Sequence, residues 1–312
     1  MRTMHSFTGP RAVPARSAQE QANVIDNPER PGGIAGAASR DGSRSERKPD
    51  AALRSHAFTL IELLVVVGLI VMLVAMLAPG LAHTRPNVRL IQCLSNKHQL
   101  ALACTMYSHD WTDYLVPNPP AGQIGGWCIG QEGWTAIPAN TNLNYYATNC
   151  LAPYVANQFK AYKCPGDTLP SDNGDRIRSV SMNSQMVGGL ATTPNYNSGW
   201  RTYKKLSDLT SPAPAMGWVF CDESMYSLND GYLQMGLNMI NYPDVPAAYH
   251  GGANCFSFAD GHAEAHKWEY KGYAGAGLLT CPYVYGVTGK HWGSGGQDMD
   301  WQWLKARTSS PL

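Results

Sequence analysis

The sequence has little net charge and lacks the short motifs that identify common enzyme classes. Lys and Arg number 24 against 23 Asp and Glu, which leaves a formal net charge of +1. No global positive field therefore favours nucleic acid as a partner. A Gly-x-Ser-x-Gly nucleophile elbow, a P-loop and a dinucleotide-binding fingerprint are all missing from the sequence. We therefore expect a protein that is not an enzyme and does not bind nucleic acid.

Long apolar runs are also scarce, and the longest extends from Phe58 to Ala78 with a single charge, Glu62. A helix needs about 20 apolar residues to cross a bilayer, and this run has no polar face of the kind that core helices show. We expect a membrane-spanning helix over 58–82. An acid within hydrocarbon is costly and usually functional, although one near the polar boundary can also reach the headgroups.

The segment before this run, residues 1–57, is rich in Pro, Gly, Ser, Ala and Arg and has no apolar periodicity. Such a composition is typical of disorder. It holds 9 basic and 6 acidic residues, a balance of +3, which leaves −2 for the rest of the chain. Basic flanks favour the cytoplasmic side. Arg85 and Arg89 on the far flank weaken this rule. The expectation of a single-pass protein of the cytoplasmic (inner) membrane, with a cytoplasmic N-terminus and an exported C-terminal domain, therefore rests partly on the family resemblance of the Phe58 segment.

The start of the apolar run reads Phe-Thr-Leu-Ile-Glu from Phe58 to Glu62. It resembles the processing site of type IV prepilins and type II secretion pseudopilins. In that family a prepilin peptidase cuts before the Phe and methylates the new amine, and the Glu serves methylation and filament assembly. The resemblance implies cleavage between Ala57 and Phe58, removal of residues 1–57 as a leader, N-methylation of Phe58, and assembly through Glu62. Ala57 departs from the family's usual Gly but is also small.

Beyond the run, Pro79-Gly80 and Pro86 predict a bend, because proline removes a helical hydrogen bond. Apolar spacing of three and four residues then resumes from Val88 to about Asp110. In the resembling family, one long helix has a membrane half and an exported half. We therefore assign 58–82 to the membrane and filament core and 83–113 to the exported half of the same helix.

From residue 114 to 312 the apolar runs are short, as in 216–220 and 255–259, and Gly, Pro, Asn, Trp and Tyr are frequent. This pattern predicts a small antiparallel β-sheet with long loops. With the preceding helix it gives an α+β fold class. The resemblance implies that this fold is pilin-like: a long N-terminal membrane-spanning helix followed by a β-rich exported domain.

A hairpin is predicted near 250–268, because Asp260-Gly261 lies between alternating segments and suits a type I′ turn. His250, nine further residues and then Asp-Gly resemble the H-X9-DG element of a prepilin-processing-associated family. Two explanations stay open. In one, His250 bonds a backbone group and Asp260 closes the turn. In the other, His250 joins His262, Glu264 and His266, three alternate residues on one strand face, in a transition-metal site.

No cofactor is expected, apart from a structural calcium ion. Major pseudopilins often stabilise a C-terminal loop with calcium, and Asp298 and Asp300 follow a Gly-Ser-Gly stretch at the corresponding end of this chain. Carboxylates are the hard oxygen ligands that calcium prefers. The spacing does not form a known calcium loop.

Eight cysteines all follow the apolar run, none of them paired at zinc-site spacing. In an exported domain they predict disulfides, with buried free thiols as the alternative. Cys93 and Cys104 cannot pair within one helix, because eleven residues separate them by roughly 16 Å. The segments around Cys93 and Cys164 both resemble a subgroup of large pseudopilin-like proteins, and on that basis we hypothesise that these two cysteines form a disulfide.

The resemblance implies a subunit of a type II secretion pseudopilus or a type IV pilus-like filament. Its partners would be the prepilin peptidase, other subunits and the cytoplasmic membrane. The alternative is a monomeric, membrane-tethered protein that binds a glycan or envelope partner through aromatic loops. The same aromatic residues equally suit a β-domain core; they are Trp127, Trp134, Tyr145, Tyr146, Trp292, Trp301 and Trp303.

Overall fold

The computed structural model describes residues 58–120, 126–156, 158–190, 196–225, 227–238, 241–269, 292–293 and 299–312. The expected leader, 1–57, lies outside these ranges. The chain from Thr59 to Leu312 forms one compact unit.

A single helix, α1, runs from Leu60 to Asp110 over 51 residues. It begins at a capping box: Glu62 N donates to Thr59 Oγ1 at 3.2 Å, and Thr59 N donates to Glu62 Oε2 at 2.8 Å. These two bonds satisfy donors that a helix start otherwise leaves free. The expected bend does not interrupt the helix, so 58–82 and 83–113 are parts of one element. The helix ends at Asp110, where the sequence predicted its end.

The structure corrects the expectation of a membrane-spanning helix. No helix in the described part of the chain is long and apolar enough to cross a membrane. The predicted span over 58–82 is therefore wrong, and with it the single-pass location in the cytoplasmic membrane.

Seven strands follow α1 in the described residues. They are β1 (Val180–Asn183), β2 (Trp218–Asp222), β3 (Tyr232–Leu233), β4 (Asn241–Tyr242), β5 (Ala253–Phe258), β6 (Ala263–Lys267) and β7 (Trp292–Gly293). Two further α-helices are α2 (Asn144–Ala147) and α3 (Met299–Thr308). Short 3₁₀ turns cover Pro138–Asn140, Phe159–Tyr162 and Leu206–Asp208.

Five strands form one sheet in the order β3-β1-β2-β5-β6, and β4 pairs with β7 in a small ribbon. The pairs β1–β2, β2–β5 and β5–β6 are antiparallel, whereas β1 and β3 run parallel. The sheet is therefore mixed, and the predicted antiparallel sheet is wrong in this respect. A parallel neighbour requires a long connection rather than a tight turn, and the chain between β1 and β3 includes β2.

The central strands are buried on both faces. On one face α1 packs on the sheet through Leu100, Ala103 and Tyr107. On the opposite face, Trp218 and Phe256 join Trp301 and Leu304 of α3 in a second apolar core. Trp218 Nε1 also donates to Thr308 Oγ1 at 2.9 Å. All six residues of β5 are buried. Its alternating side chains therefore point into two buried faces of the sheet, rather than into one buried and one solvent-exposed face.

The predicted hairpin is present as β5 and β6, with Ala253 opposite Lys267 and Ser257 opposite Ala263. The turn differs from the type I′ expectation. Only Gly261 has a positive φ, +98°, and Gly261 N donates to Phe258 O at 3.0 Å. A glycine fits this position because residues with a Cβ are strained there.

Candidate functional site

Side chains from five separate parts of the chain meet between α1 and the sheet. One potential ligand atom from each of Cys93, Cys164, Asp222 and His250 lies within 4.8 Å of the other three. Cys255 packs with Cys93 and Cys164 in the same cluster. We call these five residues the thiol cluster.

The helical period brings two buried residues of α1 to this point. Cys93 and Lys97 are four residues apart, so they lie on the same side of the helix, and both have 0 % exposure. Asn96 donates through Nδ2 to the carbonyl oxygens of Lys160 and Lys163, at 3.3 and 3.2 Å. That contact holds the Cys164 segment against the helix.

Cys164 begins a tight turn. Asp167 N donates to Cys164 O at 3.0 Å, and Gly166 N donates to Cys164 Sγ at 3.2 Å. The backbone of Cys164 is fixed in turn, because its N–H donates to Ser179 Oγ at 2.7 Å. The Cys-Pro-Gly-Asp sequence therefore forms a turn, which Pro and Gly favour, and the turn presents the Cys164 sulfur to α1.

Asp222, the last residue of β2, lies beneath Cys93 and Lys97. Its Oδ1 accepts from Lys97 Nζ at 2.7 Å and from Ser179 Oγ at 3.1 Å, and its Oδ2 accepts from Cys93 Sγ at 3.1 Å. Asn254 Nδ2 donates to Asp222 O at 2.7 Å and fixes the strand end to β5. Exposure of the Lys97 and Asp222 side chains is 0 % and 1 %.

His250 closes the cluster from the turn before β5. Its Nε2 is 3.1 Å from Cys164 Sγ, and its backbone N donates to Ala253 O at 3.2 Å. Gly251 and Gly252 have φ of +63° and +90°, conformations that suit glycine. The two glycines let the chain reverse into β5 while the imidazole faces the thiols.

Burial and charge in the cluster shift three pKa values. Hydrogen bonds with the Cys164 and Cys255 thiols hold the pKa of Cys93 well below the ordinary thiol value. Burial raises the pKa of Asp222 well above the ordinary carboxyl value. Burial alone would lower the pKa of Lys97, but the charges of Asp222 and Cys93 raise it overall. Asp222 and Cys93 therefore provide the negative charge that faces the buried Lys97 ammonium.

The structure explains how the H-X9-DG element contacts α1. His250 reaches the thiol cluster and bonds Cys164 rather than the backbone group that the sequence suggested. At the other end of the hairpin, His98 Nδ1 lies 2.8 Å from Gly261 O. Asp260 Oδ1 accepts from His262 N at 3.1 Å within the turn. The motif fixes both ends of the β5 segment to one helix.

The transition-metal set expected from the sequence is not brought together. His262 Nδ1 lies 2.6 Å from Asp260 Oδ1, and its ring stacks on Phe258. His266 stacks on Trp303, with Nε2 3.4 Å from Asp300 Oδ1. Glu264 is exposed. Glu264 and His266 lie on β6, His262 directly precedes that strand, and His250 faces the thiol cluster instead.

The calcium and cleavage predictions fall partly outside the described residues. Asp298 lies outside them, as does Ala57. Asp300 is buried, and its carboxylate accepts from Glu269 N at 3.0 Å. Phe58 is exposed, and Glu62 lies in the capping box at the start of α1. Both the calcium site and the cleavage site stay predictions.

Seven described cysteines are free thiols, and Cys281 lies outside the described residues. Cys93 and Cys164 lie together in the thiol cluster, and the disulfide between them stays a prediction. Sequence reasoning missed Asp222, Lys97 and Cys255. Two signals were available: the four-residue step from Cys93 to Lys97, and an acid that directly follows the apolar run Trp218–Cys221.

Most of the aromatic residues are core residues. Trp127, Trp134, Tyr146 and Trp301 are buried. Tyr145 and Trp303 are partly buried against the two cores, and the side chain of Trp292 is not described. Buried rings offer no stacking face to a glycan.

Comparisons with family models, curated proteins and solved structures found no match.

Proposed function

We propose that this protein is a subunit of a pilin-like filament, of the type II secretion pseudopilus or type IV pilus-like kind. A prepilin peptidase would cut this protein between Ala57 and Phe58. The processed protein would then assemble with further pilin-like subunits. The observation that carries the proposal is the first third of α1, an apolar helix that no other part of the described chain covers.

Exposure on all sides is the unusual feature of this segment. From Leu60 to Met76 every large apolar side chain is between 45 % and 79 % exposed. Monomeric soluble proteins rarely expose apolar patches beyond a few hundred Å². A helix that is apolar all round needs cover all round. Several copies packed side by side provide that cover, with the sheet domain outside.

Glu62 supports a role at the start of the packed helices. Hydrogen bonds from the Thr59 backbone and side chain lower its pKa, so it is an anion at neutral pH. Its Oε2 accepts from Thr59 N and Thr59 Oγ1, both at 2.8 Å. The amine that cleavage creates on Phe58 of a neighbouring subunit would neutralise this charge once the helices pack.

Two substitutions separate neutralisation from capping. Glu62→Gln keeps a side-chain oxygen that can accept from Thr59 N but removes the charge, whereas Glu62→Ala removes both. If the charge serves assembly, both variants fail to form filaments while the sheet domain stays folded. Sheared filament fractions and electron microscopy measure assembly, and intact mass reports cleavage and methylation in the native host.

Two results would reject the proposal. In one, the Glu62→Gln variant assembles as well as the wild-type protein, which would make Glu62 a capping residue only. In the other, the native protein retains residues ahead of Phe58. A monomeric protein that binds a glycan through aromatic loops is the alternative, and the burial of Trp127, Trp134 and Trp301 argues against it.

A further inference from the structure

We propose that Cys93, Cys164, Asp222 and His250 bind one zinc ion. The site lies where α1 meets the sheet, far along the chain from the processing segment at Phe58. It is independent of the filament proposal, since the two use different residues and different assays.

The donor set suits zinc. Two thiolate sulfurs, an imidazole nitrogen and a carboxylate oxygen are all ligand types of protein-bound zinc, and tetrahedral sites with two sulfurs are typical of this metal. The four residues come from α1, the turn at Cys164, the end of β2 and the turn before β5. Their separation in sequence explains why no zinc spacing is visible there.

The distances are close to those of a zinc tetrahedron. Bonds of about 2.0–2.3 Å give ligand–ligand edges of about 3.3–3.8 Å. Cys93 Sγ is 3.1 Å from Asp222 Oδ2, Cys164 Sγ is 3.1 Å from His250 Nε2, and all four ligand atoms lie within 4.8 Å of one another. Rotamer adjustments of about 1 Å would complete the coordination.

Charge balance also favours a divalent ion. Without metal, the Lys97 ammonium lies 2.7 Å from Asp222 Oδ1. With metal, Zn²⁺ and Lys97 contribute three positive charges, and two thiolates with the Asp222 carboxylate contribute three negative ones. The thiol protons of Cys93 and Cys164 leave for solvent when the sulfurs bind the metal. The buried net charge of the occupied site is zero, so the site avoids the cost of an uncompensated charge.

Surrounding contacts already orient the ligands. Lys97 Nζ and Ser179 Oγ both bind Asp222 Oδ1, which leaves Oδ2 directed at Cys93. Gly166 N donates to Cys164 Sγ at 3.2 Å. Outer contacts of this kind fix ligand geometry in metal sites. Cys255 supplies a neighbouring thiol and belongs to the packing around the ion.

The test uses the full-length chain, reduced and freed of metal with a chelator. Zn²⁺ is titrated against a chromophoric competitor, and Co²⁺ serves as the spectroscopic probe. We expect one equivalent of either ion, with thiolate charge-transfer absorption and the visible bands of tetrahedral Co²⁺. Cys164→Ala and His250→Ala should each lower zinc affinity by at least about 100-fold, because losing a ligand exceeds the usual effect of losing an outer contact.

Cys104→Ala is the matched control. Cys104 is also a buried cysteine of α1, but it lies outside the thiol cluster, so its loss should leave zinc affinity unchanged. His250 is only partly buried, and its variant therefore tests the site with little risk to folding. Three outcomes would overturn the proposal: no stoichiometric metal, equal loss of affinity in Cys104→Ala and Cys164→Ala, or a Cys93–Cys164 disulfide in the native protein.

Discussion

The buried carboxyl of Glu132 should make the stability of this protein depend on pH, and Glu132→Gln should remove its part of that dependence; burial raises the pKa of Glu223 to about 7 as well. Glu132 is 3 % exposed. Its Oε1 accepts from Tyr146 OH and lies 3.8 Å from Arg178 Nε. Its Oε2 has no hydrogen-bond partner in the part of the chain that the structure describes. Burial raises the pKa of Glu132 to about 7, against an opposing effect of the Arg178 charge.

The sign follows from proton counts. Between pH 4.5 and about 7 the unfolded chain has released the Glu132 proton while the folded protein still holds it. The unfolded state binds fewer protons, so the free energy of unfolding falls as pH rises through this window. A shift of about 2.5 pKa units corresponds to about 3 kcal/mol. The contribution is fully present below pH 4.5 and is lost above pH 7.

Urea unfolding of the full-length chain at pH 5 and pH 8, followed by tryptophan fluorescence, measures the effect. The amide of Glu132→Gln does not titrate, so its own packing cost cancels between the two pH values. The variant should lose about 2.5 kcal/mol of the change between pH 5 and pH 8, because pH 5 already lies above the unfolded pKa. Glu264→Gln, an exposed control on β6, should behave like the unmodified protein. An unchanged pH dependence in Glu132→Gln would refute the reasoning.

Two further substitutions test the packing around α1 and the sheet. Lys97→Met should destabilise the folded protein by about 3–5 kcal/mol, because it leaves Asp222 buried without its counter-ion. Urea unfolding with a chelator present measures this loss. Combining Lys97→Met with Asp222→Asn should recover most of it, and no recovery would contradict this account. Gly188→Ala should cost about 3 kcal/mol or more, since φ is +59° and a Cβ would overlap two backbone carbonyl oxygens. Gly199→Ala, with φ of +83° and open space around it, should cost only about 1–2 kcal/mol, and equal losses would show that the overlap is absent.

Local sequence determined the elements whose stabilising contacts lie within a few residues. The start of α1 follows from Thr59 and Glu62, three residues apart, which bond each other's backbone. The hairpin around Gly261 follows from alternation and from a turn residue that tolerates a positive φ. The local pattern gave a bend at Pro79 and Pro86, whereas one long helix was expected from the family resemblance. In the structure α1 is continuous through both prolines.

The hydrophobic pattern of the sequence could not predict which strands pair when they are far apart in the chain. Alternation predicted strands, but nothing local specifies that β3 lies parallel beside β1. The membrane-spanning expectation also came from hydropathy alone, and the described helices do not meet the length and apolarity that it requires. From composition alone, the aromatic residues could equally have formed a binding surface or a core. Their packing on the two faces of the sheet shows that most of them are core residues.

By itself the sequence determined the apolar start of the helix and the hairpin, and it singled out Cys93, Cys164 and His250 as candidates. Only the tertiary structure decided that these three meet Asp222 beside Lys97. The sequence shows which side chains can act as ligands, because that depends only on residue type. Which of them become neighbours depends on how α1 packs on the sheet. A contact across 129 residues, such as Cys93 with Asp222, cannot be predicted from the local sequence.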